Sequence, residues 1–277
     1  MTRDIVSAEW LMQNLGATRV VDASWYMPAD KRDARAEFEA GHIPGAVFYD
    51  LDALSDRATS LPHMLPPPGQ FARDAGALGI GDEDMVVVYD GAGIFSAPRV
   101  WFALKAMGHD QVAVLDGGLP AWKAAGGKIE TGPAQPAAAH FTARPQRALV
   151  RDFDGVKTAL GNTQILDARS APRFEGSEAE PRPGLKSGHM PGAANIPYRA
   201  VLTAEGKLKG NAALQKLFAE KGIDLRAPVI ASCGSGVTAA ILMLALEKLG
   251  GRQVSVYDGS WAEWGGRDEA PVATGPA

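Results

Sequence analysis

The chain repeats itself. The stretch VVVYDGAGIFSAPRVWFALKAMGHDQVAVLDGGLPAWKAAGG, from Val86, is answered by PVIASCGSGVTAAILMLALEKLGGRQVSVYDGSWAEWGG, from Pro228. The two agree element by element: an apolar run, a Gly-rich loop, a helical run, a glycine, a second apolar run, DG and an aromatic close. Trp122 and Trp264 hold the same place. Earlier pieces pair as well: VVDAS (from Val20) with ILDAR (from Ile165), and AGHIPGAVFYD (from Ala40) with SGHMPGAANIP (from Ser187). The offset stays near about 145 residues, so Asp22 maps to Asp167, His42 to His189 and Asp90 to Cys233. Constant order and spacing indicate duplication of a whole domain. The expected organisation is one copy over residues 1–132, a linker over 133–148 and a second copy over 149–277. The linker is rich in Pro and Ala and has no apolar period.

Each copy alternates short β-branched runs with longer helical ones. VVVY, VAVL, VIAS and VSVY are continuous apolar runs, as strands buried on both faces are. RVWFALKAMG and TAAILMLALEKLG have helical length and end in glycine, a common helix stop. This predicts an α/β fold, each copy a mainly parallel sheet flanked by helices. Ligands of such sheets lie beyond the C-terminal ends of the strands, where Cys233 falls.

A net charge of −4 leaves no basic footprint for nucleic acid. The single cysteine excludes an internal disulfide and a multi-cysteine metal site, and suits a reducing compartment. The N-terminal MTRDIVSAEWLMQNLG lacks the apolar centre of a signal peptide, and AAILMLAL is too short to span a bilayer. The expectation is a cytoplasmic protein that binds neither membrane nor nucleic acid and uses no metal or organic cofactor.

Cys233 stands between the run PVIAS and a helix, in the loop Cys233-Gly234-Ser235-Gly236-Val237-Thr238. Glycines let successive N–H groups turn inward into an anion cradle, and the helix adds its positive end. A thiol there ionises readily, and the thiolate is the reactive form. Read alone, Cys233 is equally a small apolar core residue. The twin position favours the nucleophile: Asp90 is awkward in a core, so the position is expected to open on a cleft.

With GHIPGA, GHMPGA and VYDGSWAEW added, the chain resembles the tandem-domain rhodanese family, sulfurtransferases with an inactive first copy and a catalytic second one. The resemblance covers nearly the whole chain. It implies two tandem rhodanese-like domains and a Cys233 persulfide held by the N–H groups of Gly234, Gly236, Val237 and Thr238. Members that use thiosulfate carry basic residues just after the cysteine. CGSGVT resembles instead the members that take sulfur from 3-mercaptopyruvate. The resemblance then assigns Arg173 and Arg182, in SAPRFEGSEAEPRPG, to the donor's carboxylate and carbonyl, a task suited to arginine. It assigns Ser235, His63 and Asp52 to a relay that helps the enolate leave. His63 and Asp52 lie in FYDLDALSDRATSLPHMLPPPGQF, which shows no helical or strand period. The implied acceptor is thioredoxin, a small thiol or cyanide. The rival readings are a thiosulfate:cyanide sulfurtransferase, a cysteine phosphatase, for which the loop lacks the closing arginine, and a persulfide carrier without turnover. His42 and His189 recur in both copies, which favours a structural role.

Overall fold

The computed structural model describes residues 4–251 and 253–276. The first copy builds β1 (Ile5–Val6), α1 (Ala8–Asn14), β2 (Thr18–Asp22), α2 (Ala34–Ala40), β3 (Val47–Phe48), α3 (Leu51–Leu54), α4 (Pro68–Ala77), β4 (Met85–Tyr89), α5 (Ala97–Ala106), β5 (Val112–Leu115) and α6 (Gly118–Ala124). The second builds β6 (Val150–Arg151), α7 (Phe153–Ala159), β7 (Gln164–Asp167), α8 (Ala171–Glu175), β8 (Ala194–Asn195), α9 (Asn211–Glu220), β9 (Val229–Ser232), α10 (Ala239–Lys248), β10 (Val254–Tyr257) and α11 (Ser260–Trp264).

Each copy forms one five-stranded sheet with every pairing parallel, in the orders β1-β5-β4-β2-β3 and β6-β10-β9-β7-β8. Strand for strand these are the same order, so the duplication seen in the sequence is a duplication of topology. The central strands are buried along their length, which is why they read as unbroken apolar runs. Local signals repeat too. Ser7 caps α1 by accepting the Trp10 N–H at 3.2 Å, and Asp152 caps α7 by accepting the Gly155 N–H at 2.8 Å.

The chain packs into two compact units. One comprises residues up to Arg57, Leu65–Gln146 and Ala204–Leu208; the other comprises Ala58–Met64, Arg147–Thr203 and the chain from Lys209 on. Each copy thus takes in a short segment from the other half. The core of the first unit gathers Leu11, Val20, Phe38, Ile43, Val87, Leu115 and Trp122. That of the second gathers Phe153, Ile165, Phe174, Met190, Ile230, Trp261 and Trp264. Trp122 and Trp264 are both buried, and their indole N–H groups donate to Lys128 O and Pro271 O at 2.8 and 2.9 Å. His42 stacks on Phe38 and His189 on Phe174, each donating from Nδ1 to that phenylalanine's carbonyl. These twin contacts explain why both histidines recur.

The stretch 133–146 holds no helix or strand, but it is fastened to the first unit. Ala139 N–H donates to Gly76 O at 2.9 Å, Thr142 N–H to Asp82 at 2.6 Å and Gln146 N–H to Ala106 O at 2.7 Å. No described helix is long and apolar enough to cross a membrane.

Candidate active site

In the second unit, β9 runs straight into the Cys233 loop, and the loop runs into α10. Both flanks are rigid because both are buried: the four residues of β9, and every residue from Ala239 to Leu246. The start of α11 ties down the near side of the loop. Cys233 O accepts the Trp261 N–H at 2.9 Å, and Gly234 O accepts the Ala262 N–H at 2.9 Å. Cys233 N–H donates to Ser260 Oγ at 3.2 Å, and Ser260 Oγ donates to Tyr257 O at 2.8 Å. Ser260 holds a left-handed φ of 48° to make this pair of bonds. Gly236 turns the loop with φ 78°, a conformation that glycine adopts without strain. Among the described residues, the N–H groups of Gly234, Ser235, Gly236, Val237 and Thr238 meet no protein acceptor. Cys233 opens this loop and is only 2 % exposed.

The twin loop in the first unit holds a carboxylate. Asp90 was expected on a cleft; it is instead fully buried, and its carboxylate fills its own loop. Oδ1 accepts from Ala92 N–H at 2.9 Å, and Oδ2 from Phe95, Ser96 and Ala97 N–H at 2.8, 3.0 and 2.9 Å. The loop's donors and the N-terminus of α5 offset part of the desolvation penalty of this buried carboxylate. Burial nonetheless pushes its carboxyl up to about 6, against the opposite pull of those N–H groups.

His63 and Ser235 meet. Nδ1 of His63 lies 2.9 Å from Ser235 Oγ, with both side chains buried. His63 belongs to the segment Ala58–Met64 that packs in the second unit, and it holds a left-handed φ of 60°. That backbone is uncommon for a residue with a Cβ and costs of order 1 kcal/mol, so the surrounding contacts must enforce it. Asp52 belongs to the first unit and lies on α3 rather than on the irregular loop expected from the sequence. Asp50 caps that one-turn helix, and Asp52 Oδ2 accepts the Trp25 indole N–H at 3.0 Å.

Arg173, on α8, reaches the loop itself. A methyl group placed on Gly234 would stand 3.1 Å from its Nη2, so the glycine permits the approach. The guanidinium is held from behind by Glu180, which accepts from Nε at 3.2 Å and from Nη2. Glu180 also accepts from Arg169 Nη1 at 2.7 Å. Arg169 in turn grips Asp167, donates to Gly188 O at 2.8 Å and lies 4.1 Å over the ring of Trp261. Burial works against its charge, but Asp167 and Glu180 outweigh burial and raise its pKa. Arg182 lies partly exposed on the coil between α8 and β8.

The sequence reading missed Arg169, Glu180, Ser260 and Trp261. One signal was available for Arg169: it follows Asp167 by two, where the twin strand end VVDAS has the small Ser24. Glu180 carries no such mark, since its partners come from two different elements.

Among known proteins, the rhodanese-like domain model matches twice, over residues 7–125 and 153–267. The chain belongs to the rhodanese-like domain family. It is 44 % identical to human 3-mercaptopyruvate sulfurtransferase, covering 95 % of this chain and 92 % of that protein. It is 42 % identical to thiosulfate sulfurtransferase of Gallus gallus, covering 95 % of this chain and 93 % of that protein. Among solved structures it resembles SseA from Escherichia coli, a 3-mercaptopyruvate sulfotransferase, with a TM-score of 0.86 and 38 % identity over 94 % of this chain and 99 % of that one. Sulfur transfer is accordingly the class of reaction.

Proposed function

We propose that this sulfurtransferase takes its sulfur from 3-mercaptopyruvate, passes it through a persulfide on Cys233 and releases pyruvate. The observation that carries this reading is the Ser235–His63 pair, 2.9 Å apart, standing two residues from the cysteine. A donor whose leaving group is a carbon enolate needs a proton at that point; thiosulfate, which leaves as sulfite, does not.

The steps balance as follows. The Cys233 thiolate attacks the donor's sulfur. A sulfur–sulfur bond forms, the carbon–sulfur bond breaks, and its electron pair stays on carbon as the enolate of pyruvate. Ser235, with His63 behind it and Asp52 as the third member of the relay, delivers the proton that completes pyruvate. Arg173 and Arg182 hold the donor's carboxylate and carbonyl. The N–H groups of Gly234, Gly236, Val237 and Thr238 carry the charge on the persulfide, as their counterparts in the first unit carry that of Asp90. A thiol such as thioredoxin or a small thiol, or cyanide, then attacks the outer sulfur. It leaves with that sulfur and returns the Cys233 thiolate. No step calls for a metal or an organic cofactor.

The test compares donors. Pyruvate release from 3-mercaptopyruvate with a thiol acceptor is expected to outpace thiocyanate formation from thiosulfate and cyanide, with both lost in Cys233→Ser. A preference for thiosulfate would keep the nucleophile and remove the relay.

A further inference from the structure

Arginine at a binding site is a long, flexible side chain, and holding it in one geometry opposes its rotamer entropy. Here the guanidinium of Arg173 is held by a closed frame of contacts that begins and ends at the Cys233 loop. Cys233 O is bonded to the Trp261 N–H. The Trp261 ring carries the Arg169 guanidinium. Arg169 is bonded to Glu180, Glu180 grips Arg173 at two nitrogens, and Arg173 lies against Gly234, the residue after the cysteine. The one member of this frame that ties the two arginines together is Glu180, whose side chain is 3 % exposed while that of Arg173 is 19 % exposed.

We infer that Glu180 is a positioning residue: it fixes the Arg173 guanidinium at a set distance from the Cys233 thiol and so presents the donor's carboxylate with its sulfur on the nucleophile. The inference rests on the reading of Arg173 as a carboxylate clamp. Glu180 meets neither the donor nor the sulfur; it acts through Arg173. Its two oxygens serve two guanidiniums, so it cannot swing away without leaving a buried arginine partly unpaired. Arg169, locked by Asp167, Gly188 O and the indole, anchors the frame on the side away from the donor.

The experiment is a double-mutant cycle on the full chain. Glu180→Gln is expected to raise the KM for 3-mercaptopyruvate by about 10- to 100-fold, the scale of a misplaced positioning group, with a smaller change in kcat. Glu180→Asp, which keeps the charge but is too short to span both guanidiniums, is expected to do the same, and serves if the Gln variant fails to fold. The rate at which neutral iodoacetamide alkylates Cys233 is expected to stay unchanged, since that reagent has no carboxylate to hold. In an Arg173→Ala background, either Glu180 variant is expected to add little. If the Glu180 and Arg173 effects multiply, or if alkylation falls in step with pyruvate release, Glu180 is merely structural and the inference fails. If Arg173→Ala leaves the KM unchanged, the clamp reading fails first and takes this inference with it.

Discussion

Ser235 and His63 come from distant parts of the sequence, and a strained backbone at His63 brings the imidazole to the hydroxyl. If the pair supplies the proton that the enolate needs, Ser235→Ala and His63→Asn should each slow pyruvate release by roughly 10²–10⁴-fold, the range of general acid–base assistance. The two changes together should cost little more than either alone, because they break the same unit. Thiocyanate formation from thiosulfate is the internal control, and an equal loss there would point to damage of the loop. Asp90 offers a second test at this scale. Its folded pKa stands near 6 against an ordinary 3.8. The folded state therefore binds that proton more tightly than the unfolded chain. The stability it contributes is full below about pH 4 and is lost as pH rises through 6, about 3 kcal/mol in all. Asp90→Asn has no such proton to lose. Its unfolding midpoint should fall less than that of the parent between pH 4 and 7; parallel curves would contradict the assignment.

At the scale of elements, β9, the Cys233 loop and α10 act as one rigid piece. Leu244 lies in the middle of a helix buried on all sides. Leu244→Ala should destabilise the second unit by about 2–5 kcal/mol, measured by denaturant unfolding. This piece was also the part most legible in the sequence. Its apolar runs are long, and glycines mark the loop, so the expected helix TAAILMLALEKLG and the observed Ala239–Lys248 nearly coincide. The same holds for the strands, since burial on both faces leaves an unbroken apolar signature. Short elements were not legible. α3 is a single turn set by the Asp50 cap, too brief to show a period. Nor was the burial of Asp90 legible, because a carboxylate reads as exposed until the four N–H groups around it are known. The Glu180 frame stayed hidden for a similar reason: its arginines look like surface residues until the fold closes them on one carboxylate.

At the scale of the whole molecule, duplication explains the architecture and divergence explains the function. The two sheets share one strand order, and each unit takes in a segment from the other half: Ala204–Leu208 in the first, Ala58–Met64 in the second. The two segments stand at about the offset that relates the copies. In the first unit the visiting segment lies against Gly93, and Leu208 N–H donates to Asp116 at 2.9 Å, beside a loop already filled by its own carboxylate. In the second unit the visiting segment brings His63 onto Ser235, beside a loop whose N–H groups meet no protein acceptor among the described residues. One copy fills its loop with its own carboxylate; in the other we propose that the loop's N–H groups meet the persulfide.

The central claim is that Cys233 carries the sulfur between donor and acceptor. The most direct measurement is the mass of the intact chain, and of its Cys233 peptide, after exposure to 3-mercaptopyruvate with no acceptor present, alongside the pyruvate released. The account requires one added sulfur on Cys233 and one pyruvate per chain, with both absent in Cys233→Ser and the sulfur removed on adding cyanide. Catalytic pyruvate release from Cys233→Ser, or a chain that turns over while Cys233 stays unmodified, would contradict it.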